Sequence, residues 1–288
     1  MRGEDNLSHL DTENRMKITK IDSLSSVELG PYRTMRRPIE HREKGVFIAE
    51  GEKVVRRLVD SKLNIVSLLM TPEWAERYSP LLEGREIRDG LYLAEKKLLE
   101  EIVGYGLHQG IMAIGEVPPP ALLGGLRRSD GRPFMMAAAD GVANSENMGV
   151  IVRNCSAFGA DALIIGETSC DPYLRRSVRN SMGTIFQLPI LYTDDLASVF
   201  PKLKEKYGVR VIGAHPRPDS EPLSKLDLTH DVCFVFGSEG AGISSRVLDV
   251  CDSLATIPMH NEVDSVNVGS SVGIVLYECR RQRTINIH

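Results

Sequence analysis

Three clusters of residues in this 288-residue chain carry groups that could do chemistry. The first is Asn147-Met148-Gly149-Val150-Ile151-Val152-Arg153. Gly149 and Arg153 are four apart, so on a helix they share a face. A glycine one turn before an arginine leaves room for a ligand against the backbone. A permanent guanidinium there suits a phosphate or a developing alkoxide. An exposed arginine on an ordinary amphipathic helix gives the same pattern. The second cluster is Gly237-Ser238-Glu239-Gly240-Ala241-Gly242, at the end of the apolar run Val232–Phe236. Its glycines let the backbone turn sharply and come close to a planar ligand. The spacing is neither GxGxxG nor a phosphate loop, so a plain tight turn competes with a binding turn. The third cluster is Ile257-Pro258-Met259-His260, followed by Asp264 to Gly269. There Pro258 ends a strand, and Ser265 or Asn267 can cap the last helix. Gly269, Gly273 and Tyr277 are spaced four apart on that helix, which allows close packing against another helix or a partner subunit. His215 sits in the loop His215-Pro216-Arg217-Pro218 and reads as a solvated loop histidine.

The elements that position these clusters follow from hydrophobic periodicity. Strands are expected at Phe134–Ala139, Ala162–Ile165, Val209–Gly213, Val232–Phe236 and Ala255–Ile257. Helices are expected at Met148–Phe158, Tyr173–Ser181, Asp195–Tyr207, Ser244–Val250 and Val268–Gln282. In the first helix, residues 148, 151, 152, 155 and 158 should face the sheet. Apolar strands alternating with helices imply an α/β fold with a parallel sheet covered on both faces. Upstream, a helix at Lys53–Val59, strands at Ile65–Met70, Leu91–Leu93 and Gly110–Val117, and a helix at Glu95–Val103 suggest a smaller α/β or α+β unit. Residues 1–17 read as a polar tail, 18–117 as this unit, 118–133 as a Pro/Gly-rich linker and 134–288 as the larger domain.

Composition narrows the class. Hydrophobic content of 42% and charged content of 26% are those of a globular protein. No apolar stretch approaches the ~20 residues of a membrane span, and the polar start at Met1–Leu10 does not resemble a signal peptide. Five scattered cysteines without a CxxC pair point to free thiols in a reducing cytoplasm, with no metal site. The formal net charge of −4 argues against a protein that coats nucleic acid everywhere. Local basic clusters remain, however. Between Arg33 and Arg57 eight basic residues face four acids, and Arg175, Arg176 and Arg179 form a second group.

Jointly, the three clusters resemble the motifs of the SpoU (TrmH-like) branch of the SPOUT RNA methyltransferases, over nearly all of Phe134–Arg283. The pattern N-x-G-x-x-x-R falls on Asn147, Gly149 and Arg153. The second motif falls on Gly237, Glu239, Gly240 and Gly242, and the third on Ile257-Pro258-Met259 and Ser265-Val266-Asn267-Val268. Arg176–Thr184 resembles the family's arginine–serine helix. Phe47-Ile48-Ala49-Glu50-Gly51 resembles part of its L30e-like substrate-binding domain. The chain departs from the family at Val266, where leucine is usual, at Gly269-Ser270-Ser271, and at Asn144-Ser145-Glu146, where Asp-Pro is frequent.

The resemblance implies a C-terminal α/β trefoil knot with a parallel sheet, plus a smaller N-terminal L30e-like domain. It implies S-adenosylmethionine held near Ala214, Gly237, Ile257, Met259 and Val266, and a methyl group delivered to a ribose 2′-hydroxyl of rRNA or tRNA. Arg153 would stabilise the alkoxide, with Asn147, Ser265 and Asn267 as polar supports and Glu239 orienting Arg153 or receiving a proton. Arg36, Arg37, Arg42, Arg176 and Arg179 would meet RNA, and the enzyme would be a cytoplasmic homodimer without metal. Two alternatives stay open: a non-catalytic RNA-binding or ribosome-assembly protein on the same fold, and a base methyltransferase.

Overall fold

Apolar runs of strand length set both sheets of the protein. The computed structural model describes residues 17–23, 25–103, 110–128, 131–260 and 263–285. Of the expected polar tail, residues 1–16 lie outside these described residues. By internal contacts the chain forms two units, one of residues 1–118 with 173–186, the other of residues 119–172 with 187–288.

In the first unit the strands are β1 (Ile18–Ile21), β2 (Val46–Glu50), β3 (Ile65–Met70), β4 (Ile87–Ala94) and β5 (Ile111–Glu116). They form a mixed sheet in the order β1-β4-β3-β5-β2. The helix Glu52–Asp60 buries Val54, Val55, Leu58 and Val59, the apolar face its sequence shows. Tyr32 is fully buried, and its hydroxyl shares a 2.8 Å hydrogen bond with Ser67, so the polar tip is satisfied inside the core. Residues 173–186, which follow the strand Ala162–Ile165 in the chain, pack here: Tyr173 and Phe186 place their rings 5.5 and 5.1 Å from that of Phe47.

The second unit carries β6 (Met135–Asp140), β7 (Ala162–Ile165), β8 (Ile190–Tyr192), β9 (Arg210–Ala214), β10 (Glu221–Pro222), β11 (Val232–Gly237) and β12 (Ser253–Thr256). The order is β10-β12-β9-β11-β6-β7-β8, and every pairing is parallel. Residues of β6, β7 and β11 are buried almost throughout, as a sheet covered on both faces requires. The short edge strands β8 and β10 were not expected from sequence.

Register aligns the carboxyl ends of the central strands. Gly237 stands opposite Asp140, Phe236 opposite Ala214, and Ala255 opposite Ala214. The loops leaving these strands therefore start at one level, the end of an open parallel sheet where ligands bind. The helix Ser145–Phe158 begins earlier than Met148, because Asn144 is its cap, and ends at Gly159 in the left-handed region. Met148, Ile151, Val152 and Cys155 are buried as expected. Phe158 is only half-buried and meets Tyr277 edge-on, with ring centroids 6.1 Å apart.

Candidate active site

The turn after β11 is built by glycine. A Cβ on Gly237 would collide with the backbone of Gly242 and Ile243, so no side chain fits there. Ser238 and Gly242 exchange two backbone hydrogen bonds of 3.0 Å, and Gly242 has φ +69°, a conformation that favours glycine. The exit of the turn is fixed by Asp140, whose carboxylate accepts the Ser244 N–H at 2.7 Å. The turn thus holds Glu239 out at the carboxyl end of the sheet.

Three sequence-distant side chains meet at that end. Asn147 donates its amide N–H to Glu239 Oε1. Asn267 donates to the same oxygen at 3.0 Å and to Asn147 Oδ1 at 3.1 Å. Asn267 Oδ1 accepts the Gly269 N–H at 2.9 Å and so caps the helix Val268–Ile285. Asn144 Oδ1 accepts the N–H groups of Glu146 and Asn147 at 2.8 and 3.3 Å. The two helices that carry Asn147 and Asn267 pack closely. Asn154 donates to the Gly269 carbonyl at 2.7 Å, and a Cβ on Gly269 would lie 2.5 Å from Val150 Cγ1. Small residues at this crossing position the asparagines.

Beside the cluster lies a cleft enclosing about 380 Å³ of atom-free space, part of it open to solvent. Its walls include Ala214, Ile257, Met259, Ser265 and Val266. Gly237 is not a lining residue and acts through the turn it permits. The wall is mostly apolar and backbone, which suits the flat faces of a nucleoside. His215 also lines the cleft, contrary to the reading of a solvated loop histidine. Its backbone N–H donates to Ala255 O at 2.9 Å, which fixes the main chain where it leaves β9. Proline-rich neighbours hid this in the sequence.

Arg153 is exposed and makes no ion pair with the described residues. It stands six residues from Asn147, about 120° around the helix. Glu239 spends one carboxylate oxygen on the two asparagines and forms no ion pair with Arg153, so the expected orienting of Arg153 by Glu239 is not what the structure contains. Ser265 is exposed at the cleft rim.

The predicted RNA-contacting arginines all fall in the first unit. Arg36, Arg37 and Arg42 are exposed, and Arg37 pairs with Glu40 at 2.9 Å, which holds that carboxyl below its usual range. Arg176 and Arg179 are exposed on the helix Arg175–Asn180. Arg175 instead donates to buried Glu50 at 2.6 and 3.0 Å, and Arg179 Nη1 lies 3.7 Å from the other oxygen of that carboxylate. The five cysteines are free. Burial pushes the Cys155 thiol up to about 12 and those of Cys170, Cys251 and Cys279 up to about 11, so they are inert as nucleophiles. Among the described residues no cluster of side chains could hold a metal ion, and no helix is long and apolar enough to cross a membrane.

A parallel α/β sheet whose carboxyl-end loops gather these three motifs defines a SpoU-type methyltransferase. The chain belongs to the SpoU rRNA Methylase family, whose model matches residues 135–277. It is 30% identical to an uncharacterized tRNA/rRNA methyltransferase of Mycobacterium tuberculosis, over 85% of this chain and 84% of that one. It is 34% identical to the 23S rRNA (guanosine-2′-O-)-methyltransferase RlmB of Pseudomonas aeruginosa, over 62% of this chain and 73% of that one. Its fold is similar to that of an AdoMet-bound rRNA methyltransferase from Sinorhizobium meliloti, with a TM-score of 0.80 at 25% identity, covering 92% of this chain and 98% of that one.

Proposed function

We propose that this protein transfers a methyl group from S-adenosylmethionine to a ribose 2′-hydroxyl of ribosomal or transfer RNA. The observation that carries this reading is the convergence of Asn147, Glu239 and Asn267 beside an apolar cleft at the carboxyl ends of the sheet. The names of its relatives, among them a guanosine-2′-O-methyltransferase, support the choice of a ribose oxygen.

Ala214, Ile257, Met259 and Val266 would hold the cofactor, and Gly237 would shape the neighbouring turn. Bound S-adenosylmethionine supplies an electrophilic methyl group on a sulfonium and departs as a neutral thioether. The protein's task is to make a poor nucleophile reactive. Arg153, a permanent cation without an ion-pair partner among the described residues, would stabilise the ribose oxygen as its proton leaves to solvent. Ser265 and the asparagine cluster would position the sugar. The exposed arginines 36, 37, 42, 176 and 179 would take phosphates of the RNA, with affinity that falls as salt rises.

A homodimer is part of the reading. Ile274 and Tyr277 are 41% and 56% exposed on the final helix, and Tyr277 meets Phe158 of the helix that carries Arg153. A second copy would cover this apolar surface and stand close to Arg153, and light scattering gives the mass that tests it. The carboxyl-terminal trefoil knot is likewise part of the proposal. The decisive experiment incubates the protein with methyl-labelled S-adenosylmethionine and ribosomal or transfer RNA, then maps the labelled atom by mass spectrometry. Label on a 2′-oxygen is expected. Cofactor binding without transfer, or label on a base nitrogen, overturns the assignment.

A further inference from the structure

His215 is a polar residue of the cleft wall that the proposed reaction leaves unused. Its main chain is clamped on both sides: the N–H donates to Ala255 O at 2.9 Å, and the carbonyl accepts the Ser220 hydroxyl at 2.7 Å. The ring packs on the turn after β11, since a Cβ on Gly242 would lie 3.0 Å from its Cε1 and 3.2 Å from its Nδ1. Side chain and backbone are therefore both fixed, yet neither ring nitrogen bonds to the described residues. Burial, then Arg217, holds the ring below its usual pKa against a smaller opposing pull from Asp219, so at neutral pH it carries one N–H donor and one acceptor nitrogen. The cleft around it is mostly apolar, with Ala214, Leu223, Ile257 and Val266 in its wall, and among the described residues Asp264 is the one carboxylate-bearing residue that lines it. An apolar cleft takes the flat, uncharged nucleoside part of a ligand more readily than a charged amino-acid tail.

We infer that His215 binds the adenosyl portion of the cofactor through a ring nitrogen, as the polar contact that fixes the nucleoside in its cleft. This inference rests on the reading of the cleft as the cofactor site. A neutral imidazole offers a directional bond to a heteroatom of adenosine, and its fixed ring gives that bond without ordering a loop. A glycine at position 242 is then doubly required, by its positive φ and by the ring that lies against it.

Calorimetric titration of the full chain with 5′-methylthioadenosine and with S-adenosylhomocysteine tests this, because the first ligand lacks the amino-acid tail. His215→Ala is expected to weaken both ligands by the same factor, about fivefold, the size of one net hydrogen bond. His215→Gln, which keeps a donor and an acceptor, should recover part of the loss. Unchanged affinity in His215→Ala, or a loss confined to S-adenosylhomocysteine, overturns the inference. Val266→Trp, checked for folding by its unfolding midpoint, separates the two levels of the argument. If it binds both ligands like the wild type, the reading of the cleft fails and not merely the role of His215.

Discussion

At the amino ends of the parallel strands, side chains are spent on the main chain. Asp161 accepts the Met135 N–H at 2.9 Å, Asp231 that of Phe134 at 2.6 Å and Asp252 that of Val211 at 2.8 Å. Arg283 donates to the carbonyls of Leu228, Pro133, Phe134 and His230. At the carboxyl ends of the same strands the balance is reversed. Asp140 and Asn267 still hold main-chain N–H groups there, but Asn147, Asn267 and Glu239 also bond to one another, and His215 and Ser265, with Arg153 further along the helix from Asn147, have no side-chain bond to the described residues. One end uses its polar groups to satisfy backbone groups that would otherwise be left without partners. The other also keeps polar groups without a protein partner among the described residues, where a ligand can meet them. The contrast teaches that charge at a strand end reveals function only when its bonding capacity is unspent.

The largest effect should come from removing the free cation. Arg153→Ala is expected to lower the methyl-transfer rate by about 100- to 1000-fold, the range seen when a group stabilising a developing oxyanion is lost. Its unfolding free energy and cofactor affinity should stay at wild-type values, because the side chain is exposed and holds no hydrogen bond or ion pair with the described residues. Single-turnover rates together with denaturant unfolding check both halves. A rate near wild type would remove Arg153 from the chemistry.

Gly237→Ala comes next. The added methyl would meet main chain at Gly242 and Ile243, which cannot swing aside as a flexible side chain can. A loss of about 3 kcal/mol in stability is expected, with cofactor binding weakened at least about tenfold as the turn opens. Breaking the carboxyl end at this position should also register in stability. Preserved affinity with reduced stability would mean that the turn does not shape the cleft.

How much of this was legible in the sequence depends on the length scale of each signal. β3 and β7 could be bounded to the residue, because a run of six residues apolar but for Ser67 and a run of four apolar residues are flanked by turn formers. β8 and β10, with three and two residues, are too short to show a period. The helix Pro72–Leu82 was hidden by Pro80 inside it. The three motifs could be listed as separate clusters and joined by resemblance, but the bonds among Asn147, Glu239 and Asn267 span 92, 120 and 28 positions, beyond any local pattern. Likewise nothing between Tyr173 and Phe186 states that those residues pack with Phe47 and Glu50.

The amino end provides the opposite test. Arg283→Met keeps much of the apolar stem and leaves four carbonyls without their cationic donor. A loss of about 2 kcal/mol is expected, within the range for hydrogen bonds to charged groups. Affinity for S-adenosylhomocysteine should stay within about twofold of wild type, since each 1.4 kcal/mol would give tenfold. Denaturant unfolding and calorimetry on the same preparation read both numbers. A large drop in affinity at unchanged stability would erase the distinction between the two ends.

The smallest effect sharpens the comparison by titration. His215 stands at the carboxyl end with its pKa held below the usual imidazole range, by burial first and Arg217 second, opposed by Asp219. A depressed pKa means that the neutral ring is the resting form at pH 7 and that protons add only as pH falls through the lowered value. If the neutral ring is what binds, protons compete with the ligand, and the Kd for S-adenosylhomocysteine should be flat at and above about pH 7 and rise only as pH falls through the lowered imidazole value. Asp264 across the cleft and Glu239 on the adjoining turn also bear charge near this ligand, so the wild-type slope alone does not isolate the imidazole. The difference between wild type and His215→Ala does, because Arg217, Asp219, Asp264 and Glu239 are present in both. A rise on acidification that persists unchanged in His215→Ala would take the slope away from the imidazole and leave it as packing against Gly242.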